Sequence, residues 1–380
     1  MRRFSPFLLT FALAIIAAPG VRANVPRPAP TDTLATRYVF LITLDGLRWQ
    51  ELFSGADPAL LHDERFVEDP DALAERFGAD DPKARREALL PFFWSVVARE
   101  GQLYGNRRLG SVVEVTNGHR FSYPGYNEIL TGFADDARID SNDKVPNPNV
   151  TVLEYVNRQP DFAGRVAAFG SWDVFPYIVN ERRSGVPVNA GFRPATGDDL
   201  TERERFLNEL QREVPSPWRT VRFDAFTHHY AFEYLKKRHP RLLYIAYGET
   251  DDFAHDGKYD AYLEAAHRTD AFIAGLWGWA QAHEPYRGRT TLIVTTDHGR
   301  GDGEAWTSHG SDVAGAEHIW LAVLGPDAPP RGEVAGEGPY FQHQVAATVA
   351  ALLGLAYTNA RPVGPPLAPA LGRVPAAGMH

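Results

Sequence analysis

The sequence predicts an α/β protein built on a mostly parallel central sheet. Three observations carry that expectation. Short apolar runs recur along the chain without the alternation of a half-exposed strand, at 37–44, 165–170, 241–247, 292–296 and 319–324. Segments with helical apolar spacing stand between them, as in crossover connections. Acids, imidazoles and a serine cluster just after the runs, where open α/β sheets place their ligands.

The elements follow in order. Residues 1–23 carry Arg2 and Arg3, an apolar stretch from Phe7 to Ala18 and small residues up to Ala23. This is the pattern of a secretory signal peptide cleaved after Ala23, too short in its apolar part for a membrane span. It predicts a periplasmic or secreted protein with no membrane attachment after cleavage. Residues 24–36, rich in Pro and Thr, read as a linker. The run 37–44 is the first strand and ends on Asp45-Gly46. Residues 62–87 read as a charged surface insertion, and Ala88–Glu100 as a helix stopped by Gly101.

A short strand at 111–115 precedes Ser122-Tyr123-Pro124-Gly125-Tyr126-Asn127 and Gly132, which read as a helix with Ser122 as N-cap. A hydroxyl at that position faces the positive end of the helix dipole, which favours an alkoxide and an approaching phosphate. Residues 134–240 read as a cap-like excursion from the sheet. It holds the run 165–170, Trp172 and Asp173, a Gly/Pro loop at 185–199 and helices at 201–213 and 220–238. His228 and His229 lie about 100° apart on the last helix and are assigned a structural role. The run 241–247 leads into Glu249, Asp251 and His255, then an amphipathic helix through Tyr262, Ala266, Thr269, Ile273 and Leu276. The run 292–296 ends on Asp297-His298-Gly299, with His309 beyond. A strand at 319–324 and a helix at 342–353 close a catalytic domain spanning 37–360, and the Pro/Ala-rich tail 361–380 is expected to be loosely held.

Composition narrows the chemistry. There is no cysteine, so disulfides, thiolate metal sites and a thiol nucleophile are excluded. The formal charge of −9 becomes −12 when Arg2, Arg3 and Arg22 are removed, which argues against binding nucleic acid through a basic surface. Two divalent ions close together clamp the attacking and leaving oxygens of an in-line displacement. Asp45, Asp251, His255, Asp297, His298 and His309 supply six nitrogen and oxygen ligands for such a pair, and Ser122 supplies a hydroxyl.

The order of these residues resembles the alkaline phosphatase superfamily, in particular its nucleotide pyrophosphatase/phosphodiesterase-like members. The likeness rests on Asp45-Gly46, Ser122 at a helix start, Asp251-x-x-x-His255, Asp297-His298-Gly299 and His309, and spans roughly 37–355. It implies a three-layer α/β/α sandwich with an inserted cap. It also implies two divalent ions, zinc by the three imidazoles, one held by Asp251, His255 and His309 and the other by Asp45, Asp297, His298 and Ser122. The activity implied is hydrolysis of small phosphate esters, mono- or diesters, through a phosphoseryl intermediate on Ser122.

The sequence departs from the relatives' Thr-x-Pro-Asn-His at the nucleophile. Gly125 replaces the phosphate-contacting Asn, and Asn127 is the candidate to supply that amide. Tyr126 stands where formylglycine sulfatases have Arg. A sulfatase-like or phosphonate hydrolase is the alternative, and a silent phosphate- or glycan-binding relative ranks lower because every ligand is retained. His119 is a candidate base ranked below metal activation. Trp172, Asp173, Glu249 and Asn127 are the expected determinants of substrate choice.

Overall fold

The computed structural model describes residues 34–372, together with Met1. The signal-peptide assignment, most of the linker and the end of the tail at 373–380 lie outside the described residues. Ten strands follow in chain order: β1 (Tyr38–Leu44), β2 (Gln102–Tyr104), β3 (Val113–Glu114), β4 (Val166–Gly170), β5 (Val188–Ala190), β6 (Leu242–Tyr247), β7 (Thr290–Thr295), β8 (Leu321–Leu324), β9 (Gly332–Glu333) and β10 (Tyr340–Phe341). Eight form one sheet in the order β5-β4-β6-β1-β7-β8-β2-β9, and β10 pairs with β3 apart from it. Strands β5, β4, β6, β1 and β7 are parallel, whereas β8 runs antiparallel to both β7 and β2.

The central strands β1, β6 and β7 are buried throughout because both faces are covered. In β1, Phe40, Ile42 and Leu44 face one core while Val39 and Leu41 face the other. The first core packs beneath the helices at 224–238 and 259–282, through residues such as Tyr230, Leu235, Tyr262 and Ile273. The second is closed by Ile129, Leu130, Val152, Val345 and Val349 from the helices Ser122–Thr131, Val152–Asn157 and Gln344–Leu352. The three-layer α/β/α sandwich that the resemblance implies is therefore present.

Three expectations are corrected. The stretch 134–240 is not an excursion from the sheet. It contributes β4 and β5, and β4 pairs with β6 from Val166↔Leu242 to Gly170↔Ala246. β5 went unseen because three residues, two of them only half-buried, carry little apolar signal. The tail is not loose as far as it is described. Leu367, Ala370 and Leu371 are buried, and the Leu367 amide donates to Thr348 Oγ1 at 2.8 Å. The end of the linker is likewise fixed, since the amides of Ala35 and Thr36 each donate to Asp327 at 2.8 Å.

Register positions the site. Thr43 of β1 pairs with Ala246 of β6 on one side and Thr295 of β7 on the other. The carboxyl ends of three adjacent parallel strands are thus level, and Asp45 and Asp297 each follow two residues beyond a paired threonine.

Candidate active site

His298 is the hub. Its Nε2 lies 3.3 Å from Asp45 Oδ1, 3.5 Å from Asp297 Oδ2, 3.8 Å from Asp251 Oδ1 and 3.4 Å from Ser122 Oγ. Its Nδ1 lies 3.0 Å from the Gly299 carbonyl, which places the proton on Nδ1 and leaves the Nε2 lone pair free. His309 is set in the same way by the Arg120 carbonyl, 3.2 Å from its Nδ1. His309 Nε2 then faces His255 Nε2 at 3.0 Å, and His255 Nε2 is 3.3 Å from Asp251 Oδ2. All six expected ligands and Ser122 are brought together.

These separations fit divalent ions. An ion about 2.0–2.2 Å from each donor leaves neighbouring tetrahedral donors about 3.3–3.6 Å apart. Asp45 Oδ1 and Asp297 Oδ2 are buried and accept no hydrogen bond, although both point at an imidazole nitrogen. Two ligand-grade groups emerge, Asp45–Asp297–His298 and Asp251–His298–His309, with His255 against the second. His298 sits between them, whereas the sequence reading gave it to one ion only.

The electrostatics record the strain of clustering acids. Burial, then the other carboxylates, pushes Asp45 and Asp297 well above the usual carboxylate range. Burial opposes ionisation of Asp251 too, but Arg300, His255 and His309 outweigh it and hold Asp251 well below that range. Burial and His298 push His309 down to about 2, so its lone pair stays available. Burial beside Asp251 and Asp45 pushes Asp252 up to about 9.

Local structure explains the placement. Gly46 has φ +59°, and a Cβ there would lie 2.8 Å from both Arg300 Nε and Asp251 Oδ1. Its amide donates to Asp297 Oδ1 at 3.1 Å. Asp251 and His255 lie one turn apart on the helix Glu249–His255, and so project from one face. Gln342 Nε2, just before the closing helix, donates to the Asp297 carbonyl at 2.7 Å and holds that turn in place.

Ser122 is the first residue of its helix rather than its N-cap. Phe121 takes the cap position with extended backbone, so the serine hydroxyl is not spent on the helix. Nor does Ser122 follow a strand of the main sheet, because β3 belongs to the small pair.

Asn127 is a correction as well. Its Nδ2 donates to the Phe133 carbonyl at 3.2 Å, and its Oδ1 accepts from Asn147 and Asn149 at 3.2 and 3.1 Å. The amide is consumed in a buried structural network. Glu249 is buried against Arg268 and the Asp224 amide, Asp173 pairs with Lys144 at 2.6 Å, and His119 engages the Asp136 carbonyl at 3.1 Å. His228 is buried and stacked on Phe272 with ring centroids 4.2 Å apart, a packing role as expected.

Sequence reasoning missed Tyr126, whose hydroxyl donates to Asp45 Oδ2 at 2.8 Å, and Arg300, which pairs with Asp251. Both were within reach: Tyr126 is one helical turn beyond Ser122, and Arg300 is two residues past His298. The site opens into a cleft of about 190 Å³ whose walls include Asn142, Trp172, Val221 and Asp252. Larger hollows lie elsewhere, of about 670 and 380 Å³, and neither contains one of the Asp/His groups.

Comparisons with known proteins bear on the family and the fold. The sequence matches the profile of the type I phosphodiesterase / nucleotide pyrophosphatase family over residues 136–315. That span includes Asp251, His255, Asp297, His298 and His309 but not Asp45 or Ser122. Among solved structures, wild-type alkaline phosphatase PafA superposes with TM-score 0.59 at 12% identity, over 89% of this chain and 99% of that one. A 2-O GAG sulfatase gives TM-score 0.55 at 12% identity over 89% and 74% of the two chains. The lipoteichoic acid synthase LtaP from Listeria monocytogenes gives 0.52 at 13% identity over 85% and 74%. No curated protein sequence matches significantly. The fold is that of the alkaline phosphatase superfamily, and the expected resemblance is borne out.

Proposed function

We propose, on the premise of this alkaline-phosphatase fold and its phosphodiesterase-family match, that the chain is an exported, two-metal hydrolase of phosphate esters acting through Ser122. The observation that carries the reading is the position of Ser122 Oγ, 3.4 Å from the His298 nitrogen that also faces the two orphaned carboxylate oxygens. Asp45, Asp297 and His298 would hold one ion, and Asp251, His255 and His309 the other. When bound, such ions supply Lewis-acid stabilisation of charged oxygens and favour deprotonation of a nearby hydroxyl or water.

The chain's own residues then have distinct tasks. Ser122 Oγ attacks phosphorus, the Oγ–P bond forms, and the bond from phosphorus to the departing alcohol oxygen breaks. Water attacks the phosphoseryl group in a second displacement and returns Ser122. The helix N-terminus at Ser122 favours the serine oxygen as an anion and the approach of a phosphoryl group. Tyr126 holds Asp45 by its free edge, and the backbone amide of Gly46 holds Asp297. A serine-derived formylglycine route is not supported, since Tyr126 fills the place of the arginine that relatives use.

Ser122→Ala is expected to abolish hydrolysis of p-nitrophenyl phosphate and of bis-p-nitrophenyl phosphate while the protein keeps about two zinc ions per chain. Full turnover in that variant would remove Ser122 from the mechanism. Fractionation of expressing cells, with N-terminal sequencing of the product, tests export and cleavage after Ala23.

A further inference from the structure

The carboxyl end of the sheet carries the acids of the site, and its amino end carries the opposite charge. Arg165, Arg241, Arg37 and Arg289 stand immediately before β4, β6, β1 and β7, four neighbours in the parallel part of the sheet. Backbone bonds tie them into a row. The Arg241 amide donates to the Arg165 carbonyl at 2.7 Å, the Val39 amide to the Arg241 carbonyl at 2.9 Å, and the Arg37 amide to the Arg289 carbonyl at 2.7 Å. With strands about 4.8 Å apart, the row spans about 14 Å. Arg37, Arg165 and Arg289 are exposed and Arg241 is half-buried. The side chains of Arg37, Arg165 and Arg241 donate only to backbone carbonyls, those of Leu34 and Thr36, of His239 and of Arg37 in turn. None of the four forms an ion pair among the described residues.

Exposed Arg287 adds a further charge beside Arg289. Three acids lie nearby. Asp161 favours the charge of Arg241, the Asp327 carboxylate is taken up by the amides of Ala35 and Thr36, and Glu284 is 4.0 Å from Arg287. The balance at this end stays positive in a chain whose formal charge is −9. Aromatic rings border the row. The Arg241 guanidinium lies over the Tyr38 ring at 5.4 Å, Tyr38 meets Tyr286 at 4.2 Å between ring centroids, and Tyr286 meets the half-buried Trp279 at 5.4 Å. Indoles beside cationic side chains are the pattern of a surface seated at the headgroup level of a bilayer. The chain also enters the sheet from this end, since residues 34–37 lead into β1 and the apolar stretch from Phe7 to Ala18 lies upstream of them in the sequence.

We propose that the amino end of the sheet is a docking surface for an anionic phospholipid bilayer. Each arginine near such a surface adds to the attraction, which decays within a Debye length of about 8 Å at physiological salt. The seven residues of β1 keep the two ends of the sheet about 23 Å apart. The docked protein therefore turns its Asp/His cleft away from the lipid, towards the aqueous side. Such docking requires neither a retained leader nor hydrolase activity.

The test is cosedimentation of the protein, as purified from expressing cells, with vesicles of equal parts phosphatidylglycerol and phosphatidylcholine or of phosphatidylcholine alone. Tight binding is expected only to the anionic vesicles, weakening about tenfold or more between low and high salt. Arg165→Glu with Arg289→Glu is expected to weaken it about tenfold or more, and Arg165→Gln with Arg289→Gln by less, with far-UV circular dichroism unchanged in both. Arg212→Glu with Arg219→Glu, an equal charge change on exposed residues outside the row, should lower it far less. Because the chain has no cysteine, a polarity-sensitive fluorophore on Ala163→Cys, beside the row, or on Asp312→Cys, beyond His309, reports orientation. The first probe should shift to the blue on anionic vesicles and the second should not. Equal binding to both kinds of vesicle, an equal loss in the Arg212/Arg219 pair, or a shift at Asp312 in place of Ala163 would overturn the surface. Binding of single-stranded DNA in place of vesicles would overturn it too, in favour of a different polyanion.

Discussion

Arg300 decides which oxygen of Asp251 is free. The guanidinium, almost wholly buried, pairs with Asp251 Oδ1 and also donates to the Asp251 carbonyl at 3.1 Å, leaving Oδ2 towards His255. Its charge is the main reason Asp251 stays ionised against burial. Removing it has two opposed effects: less repulsion of a bound cation, and a carboxylate that holds a proton and swings freely. Loss of an orienting partner typically costs 10–100-fold in metal affinity, and proton competition adds to that cost. Arg300→Met is therefore expected to weaken zinc at one of the two sites about 10–100-fold, more at pH 6 than at pH 8. Chelator competition on the purified protein measures this, and an unchanged affinity would mean that Arg300 only packs. At this scale the sequence was informative where a residue's place depended on a strand end or a one-turn spacing, as for the six ligands. It misled at Asn127 because five residues carry a side chain about 140° around a helix from Ser122, whereas the four-residue step to Tyr126 returns it to about 40°.

Between elements, the helix of Ser122 closes tightly against the turn after β7. Gly125 marks it, since a Cβ there would lie 2.3 Å from the Asp297 carbonyl oxygen. The departure from the relatives' Asn is thus forced by packing, and no side chain fits at this position. Gly125→Ala must push the helix off the turn or displace Asp297. It is expected to cost about 1–3 kcal/mol in denaturant unfolding and to lower zinc content together with activity. Wild-type stability and zinc content in this variant would show that the two elements separate freely. The long elements were legible from period and apolar run, as with β1, β6, β7 and the helix at 259–282. Strands β2, β5, β9 and β10 were not, because strands of two or three residues, at an edge or beside one, are defined by the partner they meet and not by their own composition.

For the whole molecule, the sheet imposes a cost that only ligand binding removes. Parallel strands in level register bring Asp45 and Asp297 together in a buried place, and Asp251 follows from the neighbouring strand. That convergence was legible as a list of strand ends, but the order of strands and the sharing of His298 were not, since both depend on which crossovers pack on which face. Its consequence for stability has a sign that metal inverts. Without metal, Asp45 and Asp297 hold protons more tightly folded than unfolded. The stability they contribute is then fully present below the unfolded carboxylate pKa of about 4 and is lost as pH rises towards their raised folded values. With zinc bound, the same oxygens must be deprotonated to bind, so stability rises with pH as protons stop competing. Saturation adds about 2.7 kcal/mol at a free zinc concentration one hundred times Kd. Thermal melts from pH 7 to 8.5, above the range in which the buried His228 and His309 make stability rise with pH, should therefore fall with pH in excess chelator and rise with pH in micromolar zinc. Asp297→Asn, which deletes one carboxyl with a raised pKa and one ligand, should flatten both curves. Parallel profiles with and without zinc would mean that the carboxylates are not where the ions bind, and the centre would have to be rebuilt from other residues.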